Sequence, residues 1–200
     1  MIPSCPICQN KKYLFEICPR CKSANHFFLD GIFVTAFWED PVLKKLIHNF
    51  KYDFIVDVKL ILDKIIANFV NFHQIGYALG IPKDVVLCPV PLHQERLLWR
   101  GFNQSALLAQ KLAALLNVPY EEDLLTRKRA TVPQAQLDDV NSRKLNVYAA
   151  FAANKGLNIK GKTIVVLDDV TTTGATLNEC AKALKKFKPR KIYGFVLAQG

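Results

Sequence analysis

Apolar residues along this chain follow two rhythms. Short runs without polar alternation occur at 85–88 (V-V-L-C), 164–167 (I-V-V-L) and 192–198 (I-Y-G-F-V-L-A). They predict strands, and the β-branched 164–167 run, bounded by Gly161 and by acids, predicts one covered on both faces. Between the runs, apolar residues recur at helical spacing. Asp40-Pro41 opens a helix with Leu43, Leu46, Ile47 and Phe50 on one face. The next carries Leu60, Ile61, Lys64, Ile65 and Phe69 at helical intervals with Asp57 and Asp63 outside. A third covers about 105–116. A fourth aligns Leu177, Ala181 and Leu184, with Lys185, Lys186 and Lys188 at its negative end before Pro189. The segment 26–37, H-F-F-L-D-G-I-F-V-T-A-F, reads as extended with a turn at Asp30-Gly31. Strands alternating with helices predict an α/β domain on a mainly parallel sheet, one flank covered by the helices between 41 and 69.

The densest chemistry follows the 164–167 strand, in V-V-L-D-D-V-T-T-T-G-A-T at 165–176. Thr171, Thr172, Thr173, Gly174, Ala175 and Thr176 open a helix, where unpaired N–H groups and the positive dipole suit a phosphate. Asp168 and Asp169 would repel that phosphate, so they must face hydrogen-bond donors, such as sugar hydroxyls or the waters of a metal. A ribose 5-phosphate satisfies both halves. Helix capping alone needs fewer hydroxyls and no second acid. The 85–88 strand repeats the layout: it breaks at Pro89 and Pro91 into a basic loop and then the 105–116 helix. Cys88 and Cys180 read as small buried apolar residues, and His48 and His73 as structural or surface residues.

Four of the six cysteines, Cys5, Cys8, Cys18 and Cys21, form two C-x-x-C pairs. Two pairs supply the four sulfurs of a structural Zn2+ site, and the nine residues between them predict a small, knuckle-like finger that depends on its metal. Lys11, Lys12, Arg20 and Lys22 surround it with Tyr13 and Phe15 interleaved, a pattern that fits single-stranded nucleic acid or packing of the aromatics onto the main domain. A boundary near residue 25 divides a 1–25 finger from a 26–200 domain. The formal charge of +10, or +8 with four thiolates and a zinc ion, suits polyphosphates and nucleic acid alike. No signal peptide or membrane-length apolar run is present, so the expectation is a cytoplasmic chain without membrane insertion.

The 165–176 motif resembles that of type I phosphoribosyltransferases, which bind phosphoribosyl pyrophosphate (PRPP). With P-V-P-L-H at 89–93, Arg96, Arg100-Gly101-Phe102-Asn103-Gln104, and R-A-T-V-P-Q-A-Q-L at 129–137 followed by Arg143, Asn146 and Phe151, the chain resembles the ComF family. These are competence-associated proteins with an N-terminal four-cysteine finger. The resemblance implies a type I phosphoribosyltransferase-like fold, a twisted parallel sheet flanked by helices, and binding of PRPP with Mg2+. It implies Asp168 and Asp169 on the ribose and its magnesium, Thr171 to Thr176 on the 5-phosphate, and Pro91, Leu92, His93, Arg96 and Arg100 on the pyrophosphate. Gly101, Phe102, Asn103, Gln104, Gln134, Arg143 and Asn146 come in as motif residues. Arg127, Lys128 and Arg129 are either a solvated loop or a flexible loop closing over pyrophosphate. The function implied is phosphoribosyl transfer in DNA uptake or processing, with single-stranded DNA and competence or DNA-processing proteins as candidate partners. The alternatives are a PRPP-sensing or protein-docking module and, third, nucleobase salvage. A base-reading hood is not evident; Leu14 and Phe15 are candidates for it.

Overall fold

A computed structural model of the chain describes residues 4–13, 15–24, 26–52, 56–80, 84–132, 137 and 139–200. The elements, in order, are α1 (Pro19–Ala24), β1 (Gly31–Phe37), α2 (Pro41–Tyr52), α3 (Val56–Phe72), α4 (Ile75–Leu79), β2 (Val85–Pro89), α5 (Gln94–Arg100) and α6 (Gln104–Leu116). Then come β3 (Leu125–Arg127), α7 (Val140–Val147), β4 (Phe151–Ala153), β5 (Thr163–Thr171), α8 (Ala175–Lys185) and β6 (Lys191–Gln199).

The main sheet has the order β1-β6-β5-β2, and every pairing is parallel. Alternation along the buried strands sorts the core into two layers. Ile164 and Val166 of β5 pack with Leu177, Cys180, Ala181 and Leu184 of α8 on one face. Val165 and Leu167 meet α2, α3 and α6 on the other, through Phe50, Leu62 and Leu112. Strands covered on both faces need no polar alternation, which is why their sequence reads as continuous apolar runs.

Of the extended 26–37 segment only Gly31–Phe37 is a strand, β1, which pairs with β6, and the chain bends at Asp30 just before it. Two local expectations need correction. The helix following α2 turns a different face inward. Val58, Leu62, Ile66, Phe69 and Val70 are buried, while Leu60 and Ile61 are 55% and 44% exposed. Asp63, expected outside, is buried, and the Lys59 ammonium lies 2.8 Å from its carboxylate. Several apolar positions on this helix could form either stripe; the core shared with Phe33, Leu112 and Phe195 takes up Val58, Leu62 and Ile66. Finally, the loop after β2 contains α5, and the basic 127–129 segment begins inside β3, which pairs antiparallel with β4.

The cysteine-bearing segment joins the sheet at β1. Ile17 N–H donates to the Asp30 carbonyl at 2.9 Å, and Ile32 N–H donates to the Phe15 carbonyl at 2.9 Å. A Cβ on Gly31 would stand 2.4 Å from the Phe15 oxygen. That oxygen is held by the strand and has nowhere to go. Gly31→Ala is expected to lower stability by about 1–3 kcal/mol, read as a lower urea midpoint; an unchanged midpoint would count against this close approach.

Candidate functional site

In an open parallel sheet, ligands collect beyond the carboxyl ends of the strands. Here β5 and β2 end side by side, with Val90 N–H donating to the Leu167 carbonyl at 2.8 Å. The cleft above them encloses 490 Å³ and is lined by the acid pair, the 171–176 loop, Leu92, Arg96, Arg100, Gln104, Arg127 and Arg143.

The loop is shaped by its own hydroxyls. Thr171 Oγ1 accepts from Gly174 N–H at 3.1 Å, and Thr173 Oγ1 accepts from Ala175 N–H at 3.4 Å. Gly174 takes φ 74° as the residue before α8, and a Cβ there would meet the Phe27 ring at 3.2 Å. Glycine is thus required twice over, for backbone conformation and for space.

Each carboxylate has its own donors. Asp168 Oδ1 accepts from Ser105 Oγ at 3.0 Å and from Asp169 N–H at 2.9 Å. Asp169, buried, accepts from Val170 N–H at 2.8 Å and pairs with the Lys51 ammonium at 2.7 Å. Burial, and after it the neighbouring Asp169 charge, pushes Asp168 up to about 7, against the pull of Lys51 and of the Ser105 hydrogen bond.

Facing the acids are guanidinium groups. Arg100, buried, donates to Gln104 Oε1 at 2.6 Å and lies 5.3 Å from the Tyr52 ring centroid. Arg127 lies 5.2 Å from the Phe151 ring centroid and donates to the Thr131 hydroxyl, while Arg96 donates to the Thr131 carbonyl at 3.2 Å. Burial lowers Arg100 and Arg127 from the ordinary guanidinium value. The buried Nε atoms of both have no hydrogen-bond partner among the described residues. Unmet cationic donors in a cleft favour an anion.

Away from the cleft, the sulfurs of Cys5, Cys8, Cys18 and Cys21 lie within 4.8 Å of one another, and Cys8 and Cys18 are 3.7 Å apart. Thiolates around a tetrahedral ion at ~2.3 Å would be roughly 3.8 Å apart, so the donor set and its spacing fit zinc. Cys18 N–H points at Cys5 Sγ and Cys21 N–H at Cys18 Sγ, both at 3.4 Å, which suits sulfurs carrying negative charge.

Residues 103–200 match the family model described as a phosphoribosyl transferase domain. Competence protein F of Haemophilus influenzae is 28% identical over 98% of this chain and 90% of its own length. Competence protein F is thus a homologue of this chain. Competence protein ComFC of Bacillus subtilis is 26% identical over 96% of this chain and 76% of its own. DNA utilization protein YhgH of Escherichia coli is 36% identical over 72% of this chain, a match spanning 61% of the relative's length. The fold is the type I phosphoribosyltransferase fold, a parallel sheet flanked by helices, with a four-cysteine cluster in its N-terminal segment. Among the described residues no helix is long and apolar enough to cross a membrane.

Of the residues that carry the family resemblance, the acid pair, Thr171 to Thr176, Leu92, Arg96, Arg100, Gln104, Arg127 and Arg143 line the one cleft. Pro91 and His93 are not among its lining residues, and His93 instead precedes α5. Gly101 ends α5 at φ 81°, Phe102 packs on Phe50, and Asn103 caps α6 while donating to the Val90 carbonyl at 3.1 Å. Asn146 pins Val132, accepting from its N–H and donating to its carbonyl, and Arg143 Nε donates to the Leu137 carbonyl. Gln134 and Leu14 lie outside the described residues. Lys128 and Arg129 are exposed, and Arg129 is tied to the Asn146 and Tyr148 carbonyls, so the basic cluster is a strand end and a tethered turn.

Phe15 is buried against Phe33 and Phe69, with ring centroids 5.1 and 5.9 Å away, so it neither contacts nucleic acid nor forms a hood. Tyr13 is partly buried against the core, and Lys22 pairs with Asp30 at 2.7 Å. Sequence reasoning missed Lys51, Ser105, Tyr52 and Trp38. Ser105 directly follows a motif residue and could have been suspected. Lys51 is one lysine among several on α2, and nothing in its spacing distinguishes it.

The acid pair makes stability depend on pH. Asp168 has a folded pKa above its ordinary value of 3.8, so its contribution is complete below that value and is lost as pH rises through about 7. Between about pH 4 and pH 8, the wild type should lose stability relative to Asp168→Asn. Parallel thermal melts test this, and a difference between the two proteins that stays constant with pH would contradict it.

Proposed function

We propose that the cleft binds PRPP and that the protein transfers its phosphoribosyl group. One observation carries this reading: Arg96, Arg100 and Arg127 line one cavity with an acid pair and a threonine-glycine loop, and among the described residues the Nε groups of Arg100 and Arg127 have no hydrogen-bond partner. The 171–176 loop would hold the 5-phosphate, Asp168 and Asp169 the ribose hydroxyls, and Arg96, Arg100 and Arg127 the pyrophosphate. The hard carboxylate oxygens of the acid pair suit Mg2+, which supplies positive charge to the polyphosphate when bound.

In the transfer, the bond between the anomeric carbon and pyrophosphate breaks, and a bond from the acceptor forms as the acceptor gives up a proton. Oxocarbenium character builds at that carbon, as in glycoside hydrolysis. The three arginines stabilise the charge collecting on the leaving pyrophosphate. The phosphate anchor is remote from the reacting carbon and contributes by positioning.

The names competence protein F and DNA utilization protein support a role in DNA uptake or processing, with competence or DNA-processing proteins as partners. Six free cysteines fit a reducing compartment such as the cytoplasm. A second reading, a PRPP sensor, draws on the Lys51–Asp169 pair: that carboxylate already has a cation, so ligand would release Lys51 at the end of α2.

PRPP with Mg2+ is expected to raise the melting temperature, with about 2.7 kcal/mol of stabilisation at a hundredfold excess over Kd. Asp168→Ala with Asp169→Ala should abolish the shift; equal stabilisation of that variant would overturn the binding mode. Pyrophosphate release measured across nucleobases and oligonucleotides then separates enzyme from sensor.

Zinc is the ion proposed for the cysteine cluster. Because Cys5, Cys18 and Cys21 share a core with Leu29, Ile32 and Val196, chelation should lower the melting point of the whole chain. Metal analysis should find one zinc per chain. A purified, folded protein without zinc would refute the assignment.

A further inference from the structure

The rim of the cleft carries two aromatic rings that the transfer chemistry does not use. Trp99 on α5 is 69% exposed and Tyr52 at the end of α2 is 44% exposed. Their ring centroids are 6.1 Å apart at an interplanar angle of 61°. Large apolar rings left in water at the mouth of a cleft are a recognition feature when a ligand can cover them.

Tyr52 is held from two sides. His48, one turn earlier on α2, stands 4.8 Å from its ring, and the Arg100 guanidinium lies 5.3 Å away. The platform is therefore built before any ligand arrives. Tyr52 and Arg100 also line the cleft, so rim and cleft are continuous. Arg96 lies on the same helix as Trp99 and Arg100, and Lys44 sits 5.9 Å over the ring of Trp38, a further lining residue.

We infer that the Tyr52–Trp99 rim is a stacking platform for single-stranded nucleic acid. Bases stack on rings whatever their identity, and neighbouring cations follow the backbone phosphates. A duplex keeps its base faces covered, so the platform selects unpaired strands. The positive charge of the chain, +10 overall, favours this occupant over an apolar protein segment. The inference rests on the DNA-associated part of the proposed function and not on turnover. It moves the nucleic-acid contact from the cysteine segment, where Phe15 is buried, to the entrance of the cleft.

The chain has two tryptophans, so Trp38→Phe leaves Trp99 as the only indole reporter. Titration of that protein with an oligo(dT) single strand should quench its fluorescence saturably, with affinity falling as salt rises. By anisotropy of a labelled strand, Trp99→Ala and Tyr52→Ala should each weaken binding about tenfold. The paired substitutions Lys11→Glu and Lys12→Glu, on the cysteine segment, should leave most of it. Loss of binding in that pair with none in Trp99→Ala would overturn the inference, as would equal affinity for a duplex or absence of quenching. PRPP stabilisation measured on Trp99→Ala keeps the two claims apart. Quenching without any PRPP shift in the wild type removes the PRPP reading and leaves the platform standing. A PRPP shift without quenching does the reverse.

Discussion

Two consecutive carboxylates at the end of a strand buried on both faces repel each other, and water is largely kept from them. The remainder of the site answers that constraint. Ser105 donates to one acid and Lys51 pairs with the other. Supplying those partners brings the start of α6 and the end of α2 to the same strand end. Neither helix reaches β5 through the motif itself. A loop that could have capped a helix and nothing more is thereby enclosed in a cleft with arginines on its far wall.

Much of this was legible in the sequence, for physical reasons. A strand covered on both faces writes itself as a run of β-branched residues, so β2, β5 and β6 were plain. A phosphate loop needs its glycine and hydroxyls at fixed offsets, so 171–176 was plain too. Less legible were features decided by contacts distant in sequence. The inner stripe of α3, Val58, Leu62 and Ile66, is chosen by the core it shares with Phe33, Leu112 and Phe195. Lys51 acquires its place only when α2 docks across the sheet from β5. Tyr52 and Trp99, nearly fifty positions apart, meet only in the fold.

The basic character of the chain likewise resolves into distinct uses. Arg96, Arg100 and Arg127 face the cleft, with ring contacts holding the last two. Arg129 braces a turn, and Lys22, Lys59 and Lys191 pair with acids. Net charge described the field, and burial decides which cations remain available to an anion.

The N-terminal segment has a consequence for assembly. It lies along the outer margin of the sheet: Glu16 bridges Gly31, Ile17 and Cys18 fill one core layer, and Phe15 fills the other. Anchored on both sides, it covers the opening residues of β1, an edge strand whose free backbone groups would otherwise recruit another chain. The cysteine cluster fastens that cover. Its loss would therefore appear as self-association through an uncovered sheet edge, and it would reach the phosphate loop as well, because Gln199 beside Thr171 donates to the Pro6 carbonyl and the Phe27 ring lies against Gly174.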